Sequence, residues 1–293
     1  RVFNELDGVE LAAVADADEA RRTAAARKFR IPVYASHEEL FAAEQIDLVS
    51  IAVPPDTPVK FLNDVYKGMS LHAKKHGVFL AGGNTARLPH RVVIETTLIG
   101  EARKKRVIYR NGAKKGDIIF LTGTVGDAAL GLLELKRKGK GALKGPFKKL
   151  ALRHLDPEPR LEAGAAIGAR RLANSMIDIS DGVLLDLKRL CTASGVSATI
   201  ELARLPLSKE FKRYEAQRRR SFATLALTGG EDYELLFTAN PDDEARVMRV
   251  ATSLRLKISN IGIITGSRPR TGVRVIGADG KTVKTRGLGY LHF

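Results

Sequence analysis

The sequence predicts a mixed architecture, α/β at its start and α+β over its longer remainder. Two patterns lead there. The first fifty-odd residues alternate short apolar strands with helices, which is how a parallel sheet reads. The closing half runs strand, helix, strand, strand, helix, strand, the order of an α+β sandwich with helices on one sheet face. At 293 residues there is length for two domains, and 44% hydrophobic with 28% charged residues is ordinary soluble composition. No run approaches the roughly eighteen apolar residues of a membrane span, and Arg1–Phe3 carries no signal pattern, so a cytoplasmic address is expected.

In chain order, Val9–Ala15 reads as a strand ending near Asp16 and Asp18, Glu19–Phe29 as a helix, and Ile31–Ala35 as a strand. His37–Glu44 reads as a helix and Ile46–Val53 as a strand closed by Pro54–Pro55. The strings GVELAAVADADEARRTAAARKF, YASHEELFA and IDLVSIAVPPDT resemble the nucleotide-binding domain of the Gfo/Idh/MocA oxidoreductases. That resemblance implies a ribose contact from Asp16 or Asp18. The glycine-rich turn that would receive a pyrophosphate has no counterpart here, which argues against NAD binding.

Val59–His76 has helical periodicity, and His76–Ala81 reads as a strand running into a Gly82–Thr85 turn. Val92–Ile99 is a strand, Arg110–Lys114 a turn, Gly116–Thr122 a strand and Asp127–Arg137 a helix. Gly123–Gly126 lacks the Lys-Ser/Thr of a P-loop and is weak as a phosphate motif. Lys136–Lys149 alternates lysines with glycines and reads as a solvated loop. His154–Arg160 is a proline-stiffened lead into the helix Leu161–Leu172.

Met176–Gly182 organises the second half. Ile177 and Ile179 can enter a core while Asp178 and Ser180 point the other way, because side chains alternate along a strand. From Val183 the period turns helical, with Val183, Leu184, Leu187, Leu190 and Cys191 on one stripe and Gly195 as the stop. Asp181 then sits near a helix N-terminus, where it either caps backbone N–H groups or joins Asp178 in holding a hard cation such as Mg²⁺. Cys191 is the single cysteine and sits on the apolar stripe, so it reads as a buried thiol.

Ser197–Leu202 is a strand, followed by a basic surface segment to Arg220. Leu225–Phe237 holds two apolar runs joined through Gly229–Gly230, with Glu231 and Asp232 at the bend; a hairpin with solvated acids is the plainer alternative. Asp242–Leu254 is a helix, Ile258–Ile264 a strand, and Asp279–Gly280 turns a final hairpin. The net charge of +16 is clustered in lysine- and arginine-rich stretches without interleaved aromatics, so nucleic acid is not expected as a partner. Anionic small substrates would benefit from that field.

The strings RNGAKKGDIIFLTGTVGDAALGL, HLDPEPRLEAG, MIDISDGVLLDLKRLCTASGV, LTGGEDYELLFT and GYLHF appear in order. Together they resemble the thiamine-monophosphate kinase family of the PurM-like (AIR synthase-related) superfamily, and PPDTPVKFLNDVYKGM and GVFLAGGNTARLPH extend the likeness to about Thr57. The fold so implied is a partial Rossmann-like segment over 1–55, a remnant of the PurM-like N-terminal domain over 56–115 and a PurM-like C-terminal α+β domain over 116–293.

The implied reaction moves a phosphoryl group from ATP to thiamine phosphate with Mg²⁺. Gly83, Asn84, Arg110 and Ser180 match ATP contacts; Asn84, Asp178 and Asp181 match metal ligands; Glu231 and Tyr290 match contacts to thiamine phosphate. A homodimer without membrane or nucleic-acid partners is expected. Residues 1–56 carry no counterpart of the family's Gly-Asp-Asp-Ala, Thr-Asp-Met and Asn-Leu-Ser-Asp segments, and Asn84 stands where an Asp is usual, so reduced turnover is expected. The alternatives are a non-catalytic binder of thiamine phosphate or nucleotide and, third, an NAD-dependent oxidoreductase.

Overall fold

The computed structural model describes residues 14–15, 18–35, 48–53, 58–80, 82–87, 92–267, 272–283, 287 and 289, with 14–15, 48–53, 84–87 and 267 described by backbone alone. The chain divides into two compact units, 1–101 and 102–293.

In the first unit, β1 (Val14–Ala15) pairs in parallel with β2 (Val33–Tyr34) across helix α1 (Glu19–Phe29). Asp18 caps that helix by accepting from the Arg21 N–H. The expected helix His37–Glu44 lies outside the described residues. Helix α2 (Val59–Lys75) forms as expected and buries Leu62 and Tyr66, four residues apart, while Leu71 of the expected stripe is exposed.

β3 (Leu48–Val53) is flanked by β4 (Gly82–Arg87), parallel, and β5 (Val93–Thr97), antiparallel. Gly82–Thr85 is therefore strand, not the expected turn, and residues 78–80 before it form none. β3 is an apolar run whose backbone needs a ladder on both sides, and Gly82 through Arg87 supply one of them.

The second unit is built on β6 (Ile118–Thr122), whose five residues are all buried. Such a run marks a strand covered on both faces. The sheet also contains β7 (Ser175–Asp178), β8 (Val196–Glu201), β9 (Leu235–Ala239), β10 (Ile258–Ser267) and β11 (Val273–Ile276). The order is β11-β8-β10-β6-β9-β7, antiparallel except for β11 on β8.

The helices are α3 (Asp127–Lys138), α4 (Lys148–Leu155), α5 (Leu161–Arg170), α6 (Val183–Ser194), α7 (Lys209–Arg218), α8 (Ala223–Thr228) and α9 (Glu244–Ser253). Ile119 and Leu121 pack with Val183, Leu184, Leu187 and Cys191 of α6, while Ile118 and Phe120 pack with Ile167 of α5 and Val247 of α9. Helices thus cover both faces, which corrects the one-sided sandwich. Phe120 stacks on Phe237 of β9 with centroids 5.3 Å apart.

A third cluster holds Leu130, Phe147, Leu150, Phe211, Tyr214 and Ala226 between α3, α4, α7 and α8. It explains two further departures from expectation. Lys136–Lys149 is no solvated loop: a 3₁₀ turn (Gly139–Lys144) leads into α4, and Ala142 and Phe147 are buried between the lysines. The basic segment before Arg220 contains α7, which starts on a Ser208 cap (Phe211 N–H to Oγ, 2.9 Å) and buries Phe211 and Tyr214. Ala223–Thr228 likewise folds as a helix, so Leu225–Phe237 is not a hairpin. The Asp279–Gly280 turn forms as expected, with Gly277 N–H on the Lys281 carbonyl at 2.9 Å. Among the described residues no helix is long and apolar enough to cross a membrane.

Candidate functional site

Along β7 the alternation holds: Ser175 and Ile177 are buried and Asp178 is exposed, with Ile179 buried and Ser180 half-buried beyond it. Gly182 then turns the chain at φ +120 into α6. The N–H groups of Ser180, Asp181 and Gly182 all donate to Asp186 Oδ2, at 3.1, 3.0 and 3.1 Å. Asp186 is therefore the side chain that satisfies the turn, and Asp181 is not a cap. The Asp181 carboxylate instead takes an ion pair from Arg189 Nη1, which also holds Asp186 Oδ1 at 2.8 Å. Burial pushes Asp186 above the usual carboxylate range, against the pull of the Asp181 N–H and of Arg189.

The second acid-bearing turn locks onto the first main chain to main chain. Glu231 N–H donates to the Ser180 carbonyl and Tyr233 N–H to that of Ile179, both at 2.9 Å, and Ile179 N–H donates to the Glu234 carbonyl at 2.8 Å. Only glycine permits this approach, since a Cβ on Gly230 would lie 2.1 Å from the Ser180 oxygen. Asp178, Ser180, Asp181 and Glu231 are thereby brought together. The closing segment reaches the same place, as a Cβ on Gly289 would lie 2.5 Å from the Asp181 carbonyl oxygen. Tyr290 lies outside the described residues.

Two buried acids anchor the Glu231 turn from beneath. Asp232 accepts from Gly126 N–H at 2.6 Å and Ala128 N–H at 3.1 Å, which occupies the N-terminus of α3. Gly123–Gly126 consequently offers no open phosphate cradle. Burial raises the Asp232 carboxyl to about 7. Glu234 takes both arms of Arg160 at 2.6 Å each, Arg153 at 2.9 Å and the Thr122 hydroxyl at 2.7 Å. Sequence reasoning missed Asp186, Arg189, Arg160 and Tyr233; the i, i+3 spacing of Asp186 and Arg189 was the available signal for that pair.

Arg110 is exposed beside β7. Its neighbours run opposite to that strand: the Tyr109 carbonyl accepts from Met176 N–H at 3.0 Å, and Gly112 lies against the Asn174 carbonyl. Ser194 Oγ closes the turn by accepting from Gly112 and Ala113 N–H at 3.1 and 3.2 Å. Gly83 and Asn84 belong to the first unit, where they pair in β4 with Val49 and Ser50. Cys191 is buried, and its thiol is pushed up to about 12 by that burial, so it is inert. The arrangement offers hard oxygen donors for a cation, a hydroxyl and a guanidinium for phosphate oxygens, and an exposed carboxylate for a cationic or N–H-bearing group.

The AIR synthase related protein, C-terminal domain, family model matches residues 114–274, and the oxidoreductase family, NAD-binding Rossmann fold, model matches residues 1–78. The thiamine-monophosphate kinase of Haemophilus influenzae is 34% identical over 248 residues, 84% of this chain and 73% of that one. The thiamine-monophosphate kinase of Rhodopirellula baltica is 30% identical over 245 residues, 84% of this chain and 69% of that one. A solved structure of AaThiL complexed with AMPPCP and TMP superposes with a TM-score of 0.67 at 30% identity, covering 84% of this chain and 74% of that one. At these identities and coverages, the chain belongs to the thiamine-monophosphate kinase family.

Proposed function

We propose that this chain transfers the terminal phosphoryl group of ATP to thiamine phosphate, giving ADP and thiamine diphosphate. The observation that supports the reading is the joining of the Asp178–Gly182 and Gly229–Tyr233 turns, which brings Ser180 and Asp181 next to Glu231. A relative binding AMPPCP together with TMP supports it.

Phosphoryl transfer asks the protein for positioning and for neutralisation of charge rather than covalent help. In this reading Ser180 and the Arg110 guanidinium take phosphate oxygens, and Glu231 and Tyr290 take thiamine phosphate. Gly83 and Asn84 are assigned nucleotide contacts by resemblance. Among the described residues no three potential ligands cluster. Mg²⁺ is nevertheless commonly held by one or two carboxylates with phosphates and water, so Asp178 and Asp181 fit it by donor type and number. When bound, the ion neutralises phosphate charge. Such an ion would compete with Arg189 for the Asp181 carboxylate, while Arg189 keeps its pair with Asp186.

A homodimer is the expected assembly, which sedimentation would show. The functional test is ADP release from ATP with and without thiamine phosphate. Release that requires thiamine phosphate supports the reading, and release indifferent to it sinks the reading.

A further inference from the structure

Between Gly230 and Leu235 the chain alternates direction. Asp232 and Glu234 are fully buried on their N–H and arginine partners, which leaves Glu231 and Tyr233 on the side of the Ser180–Asp181 turn. Both of those residues have left-handed backbone, φ +67 at Glu231 and φ +50 at Tyr233. For residues with a Cβ such a conformation is strained, and it persists only where neighbours over-determine it. Here the Ser180 and Ile179 carbonyls do so, one for each strained residue.

The result of the double twist is a side-chain contact. Tyr233 Oη donates to Glu231 Oε2 at 3.3 Å. Without a partner, an exposed glutamate would lose rotamer freedom on fixing a ligand. We propose that Tyr233 is a positioning residue for thiamine phosphate: its hydroxyl holds the Glu231 carboxylate in the direction in which the substrate meets it. Burial, then the nearby Glu231, Asp178 and Asp181 carboxylates, keep the phenol protonated and so able to donate. The inference rests on the assignment of Glu231 to thiamine phosphate.

Calorimetry on the full chain, with thiamine phosphate and separately with Mg²⁺–AMPPCP, tests it in four proteins: wild type, Tyr233→Phe, Glu231→Gln and the double variant. Tyr233→Phe should weaken thiamine phosphate about three- to tenfold, the worth of one hydrogen bond, with AMPPCP affinity and melting temperature unchanged. In the Glu231→Gln background the same change should add nothing, because the tyrosine acts through the glutamate. Wild-type affinity in Tyr233→Phe while Glu231→Gln weakens binding overturns the proposal and leaves the Glu231 assignment intact. An equal loss in both backgrounds also overturns it. If Glu231→Gln binds like wild type, or wild type does not bind, the Glu231 assignment fails and the proposal falls with it.

Discussion

Arg160 grips Glu234 through both arms of its guanidinium, Nε to Oε2 and Nη2 to Oε1 at 2.6 Å each. The glutamate is fully buried, with the Thr122 hydroxyl and Arg153 on the same carboxylate. Removing one partner of such a pair strands a charge in the interior, which typically costs about 3–5 kcal/mol. Arg160→Met is expected to lose that order of stability in urea unfolding. Arg160→Lys should recover only part of it, since an ammonium cannot reproduce the fork. A loss under about 1 kcal/mol for Arg160→Met would show that Arg153 and Thr122 suffice.

Gly230 is the contact point of the two acid-bearing turns. Gly230→Ala drives a Cβ to 2.1 Å from the Ser180 carbonyl oxygen, so the backbones must part. The expected loss is about 1–3 kcal/mol of stability with weakened thiamine phosphate binding. Gly68→Ala makes the contrasting control, because nothing lies within 4 Å of its Cβ and it sits within α2. That variant should gain about 0.5–1 kcal/mol. Equal melting temperatures for the two would contradict the close approach.

Asp232 carries a pH dependence. Its carboxyl is raised from 3.8 to about 7 by burial, so between those values the folded chain holds a proton that the unfolded chain has released. Its contribution to stability is complete below about pH 4 and is lost as pH rises through 7. The slope from this one group approaches about 1.4 kcal/mol per pH unit. Asp232→Asn should flatten the fall in melting temperature between pH 4 and pH 7. An unchanged profile would place the titration elsewhere.

How much of this was legible in the sequence depends on where the determining contacts lie. Asp178 and Ser180 could be turned outward from β7 by strand alternation alone, and α1, α2, α3 and α6 follow from local periodicity and their stops. The pairing of the Ser180 and Glu231 turns was not legible, because it is made by main-chain atoms some fifty residues apart. The same is true of the helices over both sheet faces. The strand β6, apolar at every position but its last, held that information, but alternation was the pattern sought. The lysines of Lys136–Lys149 concealed Phe147, whose burial depends on partners in α7 and α8. Gly82–Asn84 reads as a turn by composition and is strand because β3 lies beside it.

Arg189 bridges Asp181 and Asp186. Asp181→Asn should raise the Mg²⁺ concentration needed for half-maximal activity at least about tenfold, the lower end of what even outer-shell losses produce. Arg189→Gln relieves Asp181 of its competing cation, so Mg²⁺ should protect that variant against thermal unfolding at lower concentration than wild type. Identical Mg²⁺ titrations for all three proteins would remove Asp181 from the metal site.

The most direct measurement follows the phosphoryl group itself. With ATP labelled in its terminal phosphate, Mg²⁺ and thiamine phosphate, chromatography should show the label in thiamine diphosphate, with ADP formed in equal amount. Label appearing only as inorganic phosphate, or no thiamine diphosphate at any Mg²⁺ concentration, would contradict the account.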